Sequence, residues 1–166
     1  MTQSRLRELL DYDPTTGIFV RKVKSNKNTI IGSIAGGINI SNGYAYIRVD
    51  KKRYRAHRLA WLYMFGVFPK NEIDHINHIK LDNRISNLRE ATSLDNSRNS
   101  SRRKSNTSGT TGVSWYSKTN KWVARIKING KNIYLGYFKE KKDAIRARKI
   151  AENKYGFHKN HGKDIT

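Results

Sequence analysis

The sequence has no cysteine, which excludes disulfides, thiol nucleophiles and the cysteine-ligated structural zinc of many small nucleic-acid-binding proteins. That composition suits a reducing compartment. Proline occurs twice, and no apolar run is long enough to span a bilayer. Met1-Thr2-Gln3-Ser4-Arg5 leads straight into an amphipathic segment rather than a secretory signal pattern. No membrane partner is expected, and the expected location is cytoplasmic. Acidic residues are also scarce, 13 Asp and Glu against 34 Lys and Arg, a net charge of +21 over 166 residues. A chain this basic needs a polyanionic partner or must tolerate self-repulsion. Nucleic acid is the leading partner, because each neutralised phosphate releases condensed counterions. An RNA-binding structural protein of ribosomal type and a merely supercharged surface remain open on charge alone. Apolar residues make up 36%, enough for small cores in one domain or two.

The pattern along the chain is α+β. Residues 1–12 read as a short helix with Leu6, Leu9 and Leu10 on one face. Asp13-Pro14-Thr15-Thr16-Gly17 reads as a turn and Ile18-Phe19-Val20 as a strand. Two further strand-like segments are expected at Ile30 to Ile34 and Tyr44 to Val49; Asp50-Lys51-Lys52 then turns the chain into Arg53 to Ala56, followed by a buried helix through Leu59 to Phe65, stopped by Gly66 and Pro69. Residues 97–111 lack any large apolar side chain and carry Arg98, Arg102, Arg103 and Lys104. Such a segment has little burial to offset its ordering entropy, so 101–107 is read as a basic linker between residues 1–100 and 108–160.

Five of the carboxylates, Glu72, Asp74, Asp82, Glu90 and Asp95, fall between residues 72 and 95. In a chain so basic, that is where a hard cation could be held against phosphate. Phosphodiester hydrolysis needs a base for water and a Lewis acid for the developing charge. The imidazole of His75 suits the first role, since its ordinary pKa lies near working pH. A carboxylate with an amide oxygen suits Mg²⁺. Neighbouring side chains on a strand diverge, so Asp74 and His75 could cooperate only at a strand end or bend, which the loop expected from Asn77 to Ile85 supplies. His57 is expected to pack at the start of the buried helix; His158 and His161 are expected at the surface of a polar tail. Arg58 and Arg89 could hold phosphate or form structural ion pairs.

In order, Ala56-His57-Arg58-Leu59-Ala60, Ile73-Asp74-His75-Ile76-Asn77, Asp82-Asn83, Ser86-Asn87-Leu88-Arg89 and Asn96 resemble the HNH endonucleases of phage and mobile-intron origin, over about residues 44–100. The resemblance implies a ββα-metal fold around one divalent ion. It implies His75 as general base, oriented by a hydrogen bond from Asn87, with Asp74 and Asn96 as metal ligands. Many relatives have His where Asn96 stands; Asn favours Mg²⁺ or Mn²⁺ over tightly bound Zn²⁺. A bacterial or phage-infected host cell is the implied setting.

Beyond residue 108 a three-stranded antiparallel sheet with one packed helix is expected: Val113 to Tyr116, Trp122 to Ile128, the hairpin turn Asn129-Gly130, Lys131 to Phe138, then a helix through Lys141 to Tyr155. In the second strand Trp122, Ala124, Ile126 and Ile128 share one face, while Lys121, Val123, Arg125 and Lys127 share the other. Thr111-Gly112-Val113, Lys121-Trp122-Val123-Ala124, Tyr134-Leu135-Gly136-Tyr137-Phe138 and Asp143-Ala144 resemble the AP2 DNA-binding domain, over about residues 108–157. That resemblance implies contacts to double-stranded DNA from Ser114, Tyr116, Lys121, Arg125, Lys127, Asn132 and Tyr134; the charge of the basic segment separately lets Arg102 and Arg103 follow the backbone. Ser114, Tyr116 and Tyr134 depart from the Arg and Trp of plant members, so no target sequence transfers. The combined expectation is a site-selective nicking or homing-type endonuclease without a small-molecule cofactor, monomeric or, for double-strand cleavage, dimeric. Its rival is a non-catalytic DNA-binding regulator on a degenerate HNH scaffold.

Overall fold

The computed structural model describes residues 1–24 and 26–163. The chain divides into two compact units, Met1–Thr92 and Ser93–Thr166. The division falls before the expected linker, so Asn96 belongs to the second unit.

In the first unit, α1 (Gln3–Leu9) starts at Thr2, whose hydroxyl accepts the Arg5 N–H. Leu10 leaves the helix for an extended conformation and opens β1 (Leu10–Asp13), which pairs antiparallel with β2 (Ile18–Arg21). Asp13 closes their turn by accepting from Thr15 N–H and from both the Thr15 and Thr16 hydroxyls. Gly17 follows at φ +75°, and a Cβ there would come within 2.5 Å of the Asn83 and Arg84 backbone. A three-stranded meander comes next: β3 (Gly37–Ile38), β4 (Ala45–Val49) and β5 (Lys52–Arg55). Helix α2 (Ala56–Phe65) ends on Gly66 in the left-handed conformation. Strands β6 (Glu72–His75) and β7 (Leu88–Ala91) pair antiparallel, joined by a loop that ends in a single 3₁₀ turn at Ile85–Asn87.

Leu6, Ile47, Leu59 and Leu62 are the most completely buried aliphatic side chains of this unit, and with Tyr12, Phe19, Ile73 and Leu88 they form one core. Helix α2 buries only the face bearing His57, Leu59, Ala60 and Leu62, leaving Met64 and Phe65 exposed. The strand expected at Ile30 to Ile34 is instead a run of turns with Ile30, Ile31 and Ile34 exposed. Local polar groups win there: Asn26 accepts from Asn28 N–H and the Thr29 hydroxyl, and the Ser33 hydroxyl donates to Ile30 O. Only Ile34 keeps a β contact, a single bridge to Val20.

The second unit opens with α3 (Ser93–Arg98) and continues as β8 (Val113–Tyr116), β9 (Lys121–Ile128), β10 (Lys131–Phe138) and α4 (Lys141–Lys154). The sheet order is β10-β9-β8, fully antiparallel, with Asn129 and Gly130 at φ 49° and 80° in the hairpin turn. Val113, Ala124 and Ala144 centre its core, with Trp122, Leu135, Phe138 and Ile145 packed around them. Val123 departs from simple alternation and is buried.

The expected linker is ordered. Asn99 and Ser108 are buried, and the segment is tied to the C-terminal tail by His158 N–H to Arg98 O, Gly162 N–H to Ser100 O and Arg102 N–H to Lys163 O, at 2.9–3.2 Å. Polar side chains supply what apolar burial cannot: Ser108 Oγ and Asn106 Nδ2 both donate to Thr110 O. The tail is correspondingly not all surface, since His161 is buried.

Leu59 has no solvent-exposed area. Leu59→Ala should lower the unfolding free energy by about 2–5 kcal/mol, read as a lower urea midpoint at unchanged slope. A midpoint shift smaller than about 1 kcal/mol would mean the core collapses around the deletion.

Candidate active site

His75 is the last residue of β6. The strand's alternation sends Ile73 and His75 inward and leaves Asp74 on the other face, half-buried. The antiparallel register sets Asp74 opposite Arg89, whose Nε and Nη2 donate to Asp74 Oδ2 at 3.0 and 2.8 Å. Arg89 is thereby an ion-pair partner of the proposed ligand, and Arg58 donates to the Pro69 and Asn71 carbonyls.

His75 sits in a small aromatic cluster. Its ring lies 5.1 Å from that of His57, edge to face, and 6.0 Å from that of Tyr44, which also packs on His57 at 5.2 Å. Arg55 and Lys80 both lie 5.0 Å from the Tyr44 ring centre. His57 and His75 are 3% and 5% exposed. Burial pushes the His57 imidazole down to about 3, with His75, Arg55 and Arg58 acting in the same direction. Burial also lowers His75, against opposing contributions from the Asn83 hydrogen bond and from Asp74 and Asp82. Both rings are neutral at pH 7.

The amide that meets His75 is Asn83, with Oδ1 3.2 Å from Nε2. Asn83 Nδ2 donates to Leu81 O, an amide orientation that turns Oδ1 toward Nε2 and favours the His75 tautomer protonated there. Nδ1 is then the basic nitrogen. Asn87, the expected partner, acts on the chain beyond the histidine: its Oδ1 accepts Asn77 N–H, its Nδ2 donates to Asp82 O, and its carbonyl accepts Ile76 N–H. Asp82 braces the same loop through Asn77 Nδ2 and Arg84, whose guanidinium holds its carboxyl below the ordinary range. Asn83 is itself held from the N-terminal hairpin, by Tyr12 Oη donating to its carbonyl at 2.7 Å. The sequence marked Asn83 within the Asp82-Asn83 motif without a role for it, and Gly17 is the residue over which that hairpin meets Asn83 and Arg84.

Residues 54–98, from the end of β5 through α3, match the HNH endonuclease family. Over 81 residues the chain is 38% identical to Protein 3.8 of Escherichia phage T7, covering 48% of this chain and 67% of that protein. The chain belongs to the HNH endonuclease family. No solved structure matches it. No helix among the described residues is long and apolar enough to cross a membrane.

HNH nucleases generally work with a divalent metal. Among the described residues no three His, Asp or Glu gather to hold an ion. The five neighbouring carboxylates disperse: Asp82 pairs with Arg84, Glu90 accepts Asn71 N–H, and Asp95 lies in the second unit with Asn96. Asp74, ion-paired with Arg89, is the carboxylate next to His75 in sequence, and an oxygen donor of this kind fits a hard divalent ion.

His57 titrates below its unfolded value of 6.5, so the unfolded chain takes up the proton first as pH falls. Its stabilising contribution is present above about pH 6.5 and declines toward about pH 3. His57→Phe should therefore lose less stability than wild type between neutral and acidic pH, measured by urea unfolding across a pH series. An unchanged acid slope would show that His57 is not buried uncharged.

Proposed function

We propose that this HNH protein is a metal-dependent DNA endonuclease with His75 as general base. The observation that carries the reading is the buried imidazole at the end of β6, within the HNH-matching residues, with Nε2 3.2 Å from Asn83 Oδ1. In the proposed reaction His75 Nδ1 takes a proton from water, the water oxygen bonds to phosphorus, and the P–O3′ bond breaks. Asp74 would hold Mg²⁺ or Mn²⁺, which would supply Lewis-acid neutralisation of charge at the phosphate, with Asn96 the further ligand that the HNH resemblance implies. Arg89 fixes the Asp74 carboxylate, and Asn87 fixes the backbone following His75. One such site per chain produces a nick; a double-strand break needs two chains or two successive cuts. The match to a phage protein supports a phage-infected bacterial cytoplasm as the setting.

The second unit is the proposed DNA-holding part, with an AP2-like sheet. Lys121, Arg125, Lys127, Asn132, Tyr116 and Tyr134 are exposed on it, with Ser114 hydrogen-bonded to the Arg125 guanidinium. Exposed cations and aromatic rings on a three-stranded sheet support entry into a major groove.

Supercoiled plasmids incubated with Mg²⁺ and wild-type protein should yield open circles, and His75→Ala should reduce the rate by at least about 100-fold. If both proteins leave a panel of DNAs intact, the regulator reading replaces the nuclease one. Preference for RNA over duplex DNA at matched salt would favour the structural RNA-binding alternative.

A further inference from the structure

The second unit contains a groove of about 830 Å³ whose two walls come from distant parts of the chain. One wall is the 97–106 segment, with Arg103, Ser105 and Asn106; the other is the sheet, with Arg125, Lys127 and Asn132. No carboxylate lines it. The only other cation on its surface, Arg148, is neutralised by Glu152 at 2.9 Å. Arg103, Arg125 and Lys127 are exposed and, among the described residues, make no ion pair. Cations left unneutralised around one concavity repel each other unless an anion enters it. Hydroxyl and amide groups between them are the donors that phosphate oxygens accept from.

The groove is held open by the C-terminal tail. Arg148, buried on α4, donates through Nη1 to Arg125 O, through Nε to Glu152, and through Nη2 to His161 Nε2 at 3.0 Å. Phe157 stacks edge-on against His161, with the Arg148 and Arg98 guanidinium groups over its ring. The tail then binds the 98–102 backbone. Arg148 thus links the sheet wall to the tail, and the tail links to the segment wall.

We infer that this groove holds the sugar–phosphate backbone of one strand of duplex DNA, gripped between Arg103 on the 97–106 segment and Arg125 and Lys127 on the sheet. The inference rests on the DNA-binding reading of the second unit and adds to it a site with a second wall. It makes Arg103 a groove contact equal in standing to the sheet cations, and makes His161 a positioning residue that acts through the tail.

The test is fluorescence anisotropy of the full chain with a labelled mixed-sequence duplex over a salt series, in EDTA so that no cleavage occurs. Arg103→Ala, Arg125→Ala and Lys127→Ala should each weaken binding and lower the slope of log K against log salt by about 0.9. His161→Ala should lower affinity, and in its background Arg103→Ala should add less than it does in wild type, a coupling a merely destabilised fold would not give. Melting curves confirm that the variants are folded. If Arg103→Ala leaves the slope unchanged while the sheet variants lower it, the groove is overturned and the open sheet face stands alone. If Arg103 and His161 prove additive, the tail does not set the wall. Absence of duplex binding by wild type overturns the DNA-binding reading itself.

Discussion

Burying His75 against His57 takes two imidazoles out of water together, and neither can then carry charge cheaply. Much of the first unit is arranged around that constraint. An uncharged imidazole needs one donor and one acceptor assigned, and Asn83 makes the assignment at Nε2. Asn83 can do so because Tyr12 and the Asp13–Gly17 turn hold its backbone from the far end of the sequence. Tyr44 completes the cluster, and the cations Arg55 and Lys80 lie over its ring, where they further oppose charging of His57 and His75. The N-terminal hairpin and meander, which carry none of the HNH motifs, are therefore supports for the histidine at the end of β6.

The second unit solves a different problem. Its core is small, centred on Val113, Ala124 and Ala144. A buried arginine and glutamate on α4 do the joining that apolar residues do elsewhere. Such a pair is costly to desolvate and becomes favourable only when its remaining donors are used. Here they are used: Arg148 reaches the Arg125 carbonyl and His161, and Glu152 also takes Lys149. Gly112 admits the arrangement, since a Cβ there would meet Arg125 O at 2.4 Å and Arg148 Nη1 at 2.7 Å.

Much of this was legible in the sequence, for reasons that can be named. Periodicity and turn chemistry located α2, the β9–β10 hairpin at Asn129-Gly130, and α4, because each is decided within a few residues. The strand-end position of His75 followed from the need for its neighbour to diverge. What escaped was decided over long distances. Asn83 replaces Asn87 at the imidazole because a hairpin some 70 residues earlier positions it. Residues 97–111 look like a linker when judged by apolar content, yet backbone hydrogen bonds to residues 158–163 order them. The Ile30–Ile34 run misleads in the opposite way, since its backbone meets β2 only near Ser33 and Ile34 and local polar groups turn the rest. Arg148 interrupts the alanine stripe of α4, and nothing local says that its partner is His161.

The tie between residues 98–102 and residues 158–163 also fixes an order of events during synthesis. The first unit has all its core residues in hand once residue 92 has emerged from the ribosome. The second unit's sheet and α4 can form next. The segment that follows α3 must wait for these backbone partners until residues 158–163 have been translated. A ribosome stalled in the last ten or so codons before residue 163 would thus carry a chain with its histidine cluster assembled and its 98–102 segment untethered.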